Sequence, residues 1–323
     1  MREEKAGILI RYANRKAKLR RQRGPDRSMI EIREQAGTFG VAEVRGISLD
    51  RASAHADSLR AALARSGVVC LRLERLLEEA ELEAVARLFG SIKDPVGKTK
   101  DGGEIRYGSP LQIIDSGFVM TDEVREKFKD VAFGGLDDDR PGLFETFHCD
   151  DTYTERPACA TVLHARALPQ SGGGPTHFID MRAAYEQLSP SMKSRIEALK
   201  VVYAYNNEEA FPPRRSARGP AEALVDVSHP LVRTHDVAGT RSLFIDLDRA
   251  KGIEGMPTQE GRRLLRALQD GAEANAPACQ HAWSSFDVLV WDNASVQHKA
   301  GGDFKLGEPR LFWRHMIEGE RPA

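Results

Sequence analysis

Phe147-His148-Cys149-Asp150 sets an imidazole and a carboxylate two residues apart. On an extended strand, side chains alternate between faces, so His148 and Asp150 point together and Cys149 points away as a small core residue. Such a pair can take two neighbouring positions on an octahedral metal. The third ligand must come from far along the chain. His298 fits, because it follows a buried strand-like run at 288–291 and a polar turn. Two histidines and one carboxylate leave three positions open, which suits iron(II) oxygen chemistry. The same triad with zinc would serve a metal-dependent hydrolase, and a barrel that kept the residues without turnover would be a non-catalytic small-molecule-binding protein. His-x-Asp by itself is also what a core histidine beside a solvated aspartate looks like.

Arg310 and Arg314 are a second group. Their even spacing on the strand-like run 310–317 puts them on one face. An arginine that faces inward from an apolar strand is costly unless it meets an anion. A guanidinium matches a carboxylate through two parallel hydrogen bonds. Two surface arginines on an edge strand would share that spacing.

The elements that must position these groups are mostly short strands. Runs at 39–47, 68–73, 144–150, 158–167, 176–180, 201–205, 230–234, 242–246, 288–291 and 310–317 read as strands. The pattern predicts helices at 51–65, 76–89, 181–188 extended by 191–199, and 258–273. Residues 235–240 read as a hairpin turn. The stretch 94–145 lacks periodicity apart from a helix near 122–129, and long irregular segments of this kind are usually functional. The chain therefore reads as mainly β with helical decoration, a sandwich or jelly roll. We expect residues 31–323 to form one domain, with lid insertions near 97–145 and 206–218.

Composition bounds the partners. Net charge is −1, with 29% charged and 41% hydrophobic residues, so the molecule as a whole is not built for nucleic acid or an anionic membrane surface. Residues 1–30 form a basic extension that includes Arg15, Lys16, Lys18, Arg20, Arg21 and Arg23, and blocks of like charge stay solvated. The four cysteines form no CxxC pair and no disulfide framework, which fits a reducing, cytoplasmic compartment.

Several motifs occur in a fixed order: 147–150, the Gly-rich stretch 168–176, His229-Pro230-Leu231-Val232, and Trp291-Asp292-Asn293 through His298 to Arg310. In order and spacing they resemble the taurine dioxygenase and phenoxyacetate dioxygenase family, over roughly 39–317. The resemblance implies a double-stranded β-helix. It also implies iron(II), 2-oxoglutarate as cosubstrate and O2, with release of succinate and CO2. By position, His148, Asp150 and His298 resemble the iron ligands. Thr176 and Arg310 resemble the pair that binds the distal carboxylate of 2-oxoglutarate, and Arg314 resembles an arginine that meets an acidic group of the substrate. Asp150 keeps the carboxylate that a chloride-accepting halogenase lacks. Relatives commonly form dimers or higher assemblies, so a homo-oligomer stays open.

The resemblance thins where substrate is chosen. Asp94 and Gly97 stand where the family's taurine enzymes hold a histidine and a tyrosine, and Phe144 stands for an asparagine. The implied substrate is a small anionic metabolite, without taurine being carried over. Its identity, and the choice between hydroxylation and bond cleavage, are not legible.

Overall fold

The computed structural model describes residues 30–34, 39–94, 96–98, 104–106, 110–115, 146–205, 207, 225–305 and 308–323. The first strands are β1 (Glu31–Arg33) and β2 (Gly40–Arg45). A 3-10 turn at Leu49–His55 leads into α1 (Ala56–Ser66), then β3 (Gly67–Leu71) and α2 (Glu79–Ala86). Three short strands follow: β4 (Val96–Lys98), β5 (Glu104–Arg106) and β6 (Gln112–Asp115). After them come β7 (Ala160–Ala167), β8 (Thr176–Asp180), α3 (Met181–Glu186), α4 (Pro190–Ile196), β9 (Lys200–Tyr203) and β10 (Val227–Pro230). The rest are β11 (Val232–Thr234), β12 (Arg241–Leu243), β13 (Ala250–Ile253), α5 (Thr258–Asn275), β14 (Ala278–His281), β15 (Val288–Asp292), β16 (Val296–Ala300) and β17 (Leu311–Ile317).

Seven strands form the main sheet in the order β1-β2-β3-β15-β7-β17-β6. Only the β2–β3 pair in it is parallel. A three-stranded sheet, β14-β8-β16, shares a core with it. Side-chain parity sorts the main sheet into two buried faces. Val69, Leu71, Val162, Val288 and Val290 pack with Leu59, Leu63, Leu82 and Val85 of α1 and α2. Their neighbours Val68, Cys70, Leu163, Leu289 and Trp291 pack instead with Phe178 of β8 and Val296 of β16. A third cluster joins α3 and α5 to β9, β12 and β13 through Tyr185, Leu264, Leu268, Val201, Leu243 and Ile253.

Gly67 shows how local chemistry sets this arrangement. It ends α1 in the left-handed conformation (φ 77°), with its N–H donating to Leu63 O. A Cβ there would lie 2.8 Å from Val296 Cγ1, so only glycine lets β3 start against β16.

Three expectations need correction. The strand at 144–150 reduces, among described residues, to a single bridge at His148, because the chain turns from Asp150 onward. Asp151 adopts φ 67° there, which ends any ladder. Strand 230–234 is split between β10 and β11, in different sheets. Residues 296–300 are the strand β16 and no mere polar turn. Buried Gln297 disguised it, yet its amide is satisfied by Ile245 O at 2.6 Å and the side chain of Gln269. The basic extension before residue 30, the helix near 122–129 and most of both lid segments lie outside the described residues.

Candidate active site

His148 and His298 face each other across a two-way backbone pairing, with N–H···O distances of 3.1 and 3.0 Å. Their ring centroids lie 4.3 Å apart. One ligand atom each from His148, Asp150 and His298 fall within 4.8 Å of one another. Thus β16 supplies one histidine, and the extended segment bridged to it supplies the other histidine and the carboxylate.

His148 and Asp150 are each held from behind. The Nδ1–H of His148 donates to Thr146 O at 3.1 Å, which leaves Nε2 as its lone-pair nitrogen. Thr161 Oγ–H donates to Asp150 Oδ2 at 2.6 Å, and Arg314 Nη1 donates to Oδ1 at 3.2 Å. Thr161 is itself fixed by Asn293 Nδ2 at 2.9 Å, and Trp291 Nε1 donates to Asn293 Oδ1 at 3.0 Å. This chain of bonds, Trp291 to Asn293 to Thr161 to Asp150, orients the carboxylate from the floor of the sheet.

Electrostatics keep the set ready to bind a cation. Burial would raise the pKa of Asp150, but Arg314, both histidines and Thr161 outweigh it and hold the carboxyl at about 2. Burial, then the neighbouring His148, pushes His298 down to about 3, against the opposing pull of Asp150. Asp150 is therefore anionic and His298 neutral near pH 7. His298 Nε2 lies 3.8 Å from Asp150 Oδ2, too far for a hydrogen bond, and its Nδ1 is buried without a partner. Two nitrogens and one ionised oxygen that converge without bonding one another fit a divalent metal with open positions.

An anion anchor lies along β8. Thr176 pairs with Ala300 and Phe178 with His298, so Thr176 is two residues from the histidine's level, about 7 Å along the strand, on the same face. Thr176 Oγ1 accepts a hydrogen bond from Trp283 Nε1 at 3.0 Å. Arg310 is buried, with Nη2 donating to Gly174 O at 2.9 Å and its guanidinium 4.7 Å from the Phe312 ring centroid. Burial lowers it to about 10, partly offset by Asp303, so it remains a cation near pH 7. Gly174 makes room for it. Its φ is 64°, and a Cβ there would sit 2.7 Å from Arg310 Nε.

Comparison with known proteins decides among the readings. The profile of "Taurine catabolism dioxygenase TauD, TfdA family" matches residues 31–316. The chain belongs to this family. The 2,4-dichlorophenoxyacetate dioxygenase of Cupriavidus pinatubonensis is 30% identical, over 72% of this chain and 88% of its own length. A sulfate ester dioxygenase of Pseudomonas putida is 26% identical over 91% of each chain. Among solved structures, AAD-2 in complex with Mn(II) and N-oxalylglycine superimposes with a TM-score of 0.69 at 24% identity, over 91% of this chain and 99% of that one. A taurine dioxygenase from Burkholderia xenovorans gives 0.69 at 24% identity, over 91% and 92%. The protein is thus an iron(II)- and 2-oxoglutarate-dependent dioxygenase acting on a small molecule.

Not every expected site residue of the dioxygenase is gathered in the same way. Arg314 turns onto Asp150 and onto Gln112 Oε1, with its Nε at 3.1 Å from the latter. Asp94 is exposed, beside Lys93, whose ammonium bonds Asp151 and, at 2.9 Å, Thr154 Oγ1. Gly97 lies in β4, and Phe144 lies outside the described residues. Cys149 is buried, as are His164, His229, His281 and His315. His315 shares its strand face with Trp313 and Ile317, opposite Arg314. All four cysteines are free. Among described residues no helix is long and apolar enough to cross a membrane.

Sequence reasoning missed Thr161, Trp283 and Gln112 as supporting residues. Thr161 carried a readable signal: a hydroxyl set at core parity in the apolar run of β7 needs a buried partner. Trp283 and Gln112 lie in segments with no clear period, so nothing in the pattern pointed inward.

Proposed function

We propose that His148, Asp150 and His298 hold the iron and that Thr176 with Arg310 receives the distal carboxylate of 2-oxoglutarate. The observation that carries this is the convergence of three ligand atoms that do not bond one another, two of them, on His148 and Asp150, belonging to side chains held from behind. When bound, iron with 2-oxoglutarate and O2 supplies an oxidant that hydroxylates a C–H bond and releases succinate and CO2. The chain's own residues orient and exclude water. Thr146 and Thr161 fix the ligand faces, Trp283 aims the Thr176 hydroxyl, and Phe312 and Phe304 wall in the Arg310 cation. We read the strand arrangement as a double-stranded β-helix in a single catalytic domain over 31–323, working in the cytoplasm.

The substrate in this reading is a small organic anion. Its support is the cationic Arg314 beside the metal ligands, together with relatives named for phenoxy acid and sulfate ester substrates. Arg314 is engaged by Asp150 and Gln112, so an incoming anion must share the guanidinium or displace Gln112. A panel of sulfonates, alkyl sulfates, aryloxy acids and their uncharged analogues, scored by succinate release, tests this. Stimulation by anionic members only is the expected result. Equal stimulation by the uncharged analogues would remove the anion from the proposal.

A further inference from the structure

A second cluster of ligand-type side chains lies on the far side of the Thr176 end of β8, where His281 of β14 pairs with Thr176. Cys70 of β3, His281 of β14 and Asp287, just before β15, are all buried, and one ligand atom of each falls within 4.8 Å of the others. Cys70 Sγ lies 3.9 Å from His281 Nε2, and Asp287 Oδ2 lies 3.1 Å from the same nitrogen. One ring nitrogen therefore addresses both partners. A Cys–His–Asp nucleophilic relay would use the two nitrogens separately.

The spacing fits a metal. Ordinary zinc bond lengths in a tetrahedron separate sulfur from nitrogen by about 3.6 Å and nitrogen from oxygen by about 3.4 Å. The observed separations straddle those values with shifts of a few tenths of an ångström. Backbone geometry at the carboxylate is also special. Phe286, immediately before Asp287, is held at φ 72°, which a bulky residue adopts only under constraint.

Charge and access support the same reading. Arg72 bridges Glu43 and Asp287, with 2.6 Å contacts to each carboxylate. With Cys70 as thiolate, the anions Cys70, Glu43 and Asp287 outnumber the arginines Arg72 and Arg45 that bond them, and a divalent cation offsets the remaining negative charge. A cavity of about 290 Å³ reaches one member of the cluster, His281, and is lined among others by Arg33, Glu43, Arg72 and Gln280. It gives a hydrated ion a path to His281.

We propose that Cys70, His281 and Asp287 form a second metal site, containing one thiolate, for a divalent cation of the zinc class. Loading releases the Cys70 proton to solvent and places the single proton of neutral His281 on Nδ1. The His281–Asp287 hydrogen bond is then replaced by bonds to the ion. Ser284 N–H, 2.8 Å from Asp287 Oδ2, and Arg72 remain to orient the carboxylate.

Cobalt(II) separates the two sites, because only this one offers sulfur. Metal-free full-length protein is titrated with Co(II) under anaerobic conditions and followed by absorption. We expect two equivalents to bind, with an intense near-ultraviolet thiolate-to-cobalt band that grows with the second equivalent and saturates at two. That band should vanish in Cys70→Ala and persist in His298→Ala. If Cys70→Ala does not fold, His281→Gln replaces it, and sulfur scattering at the zinc edge in zinc-loaded wild type gives a variant-free readout. Folded wild type with no thiolate band beyond two equivalents of Co(II), or with no sulfur at the zinc edge, overturns the proposal. So does a band that survives Cys70→Ala.

Discussion

Two clusters of three ligand-type side chains share the core between the main sheet and β14-β8-β16, and they are built differently. In the first, His148 and Asp150 spend their hydrogen bonds outward, on Thr146, Thr161 and Arg314, and the ligand atoms face one another unbonded. In the second, His281 bonds Asp287 directly, and Asp287 Oδ2 also accepts from Arg72 and Ser284. The first is organised for an ion in advance; the second must break an internal bond to take one. Preorganisation of this kind is what separates a tight site from one tuned to metal supply. Occupancy at the first should therefore precede occupancy at the second as metal is added.

The largest effect that would sharpen this contrast is loss of a first-cluster ligand. His298→Ala should lower substrate-dependent succinate formation by more than about 100-fold, beyond what removing an outer-shell partner does, while the thiolate band of the second cluster is kept. Next is the cosubstrate anchor. Arg310→Ala should raise the KM for 2-oxoglutarate by about 100-fold, as expected for losing paired charge-assisted hydrogen bonds, with little change in iron affinity. Unchanged KM would detach Arg310 from the cosubstrate. Thr161→Val removes the donor to Asp150 without changing shape. Iron affinity, measured by competition with a chelator, should fall about tenfold.

The clusters should also differ in pH dependence. Burial pushes the Cys70 thiol well above its ordinary value, so binding at the second cluster must release that proton. Its affinity should rise about tenfold per pH unit through the neutral range. Asp150 at about 2 and His298 at about 3 are already deprotonated there and release none. The slope at the first cluster should be shallower; parallel slopes would contradict the distinction. The smallest expected change is Gly174→Ala. Strain at φ 64° and the crowded Arg310 Nε should raise the KM for 2-oxoglutarate about fivefold, with kcat nearly intact.

Much of this was readable before the fold. Parity alone set His148 and Asp150 on one side and Cys149 on the other, and the structure places those two beside His298. The even spacing of Arg310 and Arg314 pointed both inward; Arg310, one residue before β17, is buried and Arg314 reaches Asp150. What the sequence hid was support that comes from distant segments. Thr161, Asn293 and Trp291 form a chain only because β15 pairs with β7, with Trp291 opposite Thr161. The partnership of Arg314 with Gln112 depends on β6 pairing beside β17. Cys70, His281 and Asp287 are more than 200 residues apart at their extremes and show no metal-ligand spacing, so only the stacking of β3, β14 and β15 reveals them.

The central claim is that His148, Asp150 and His298 hold iron while Arg310 secures 2-oxoglutarate beside it. The most direct measurement is anaerobic: iron(II) and then 2-oxoglutarate are added to the protein, and the weak visible metal-to-ligand absorption is followed. The account predicts a band in wild type that is absent in His298→Ala and needs far more 2-oxoglutarate in Arg310→Ala. No band in folded wild type, or an undiminished band in His298→Ala, would contradict it.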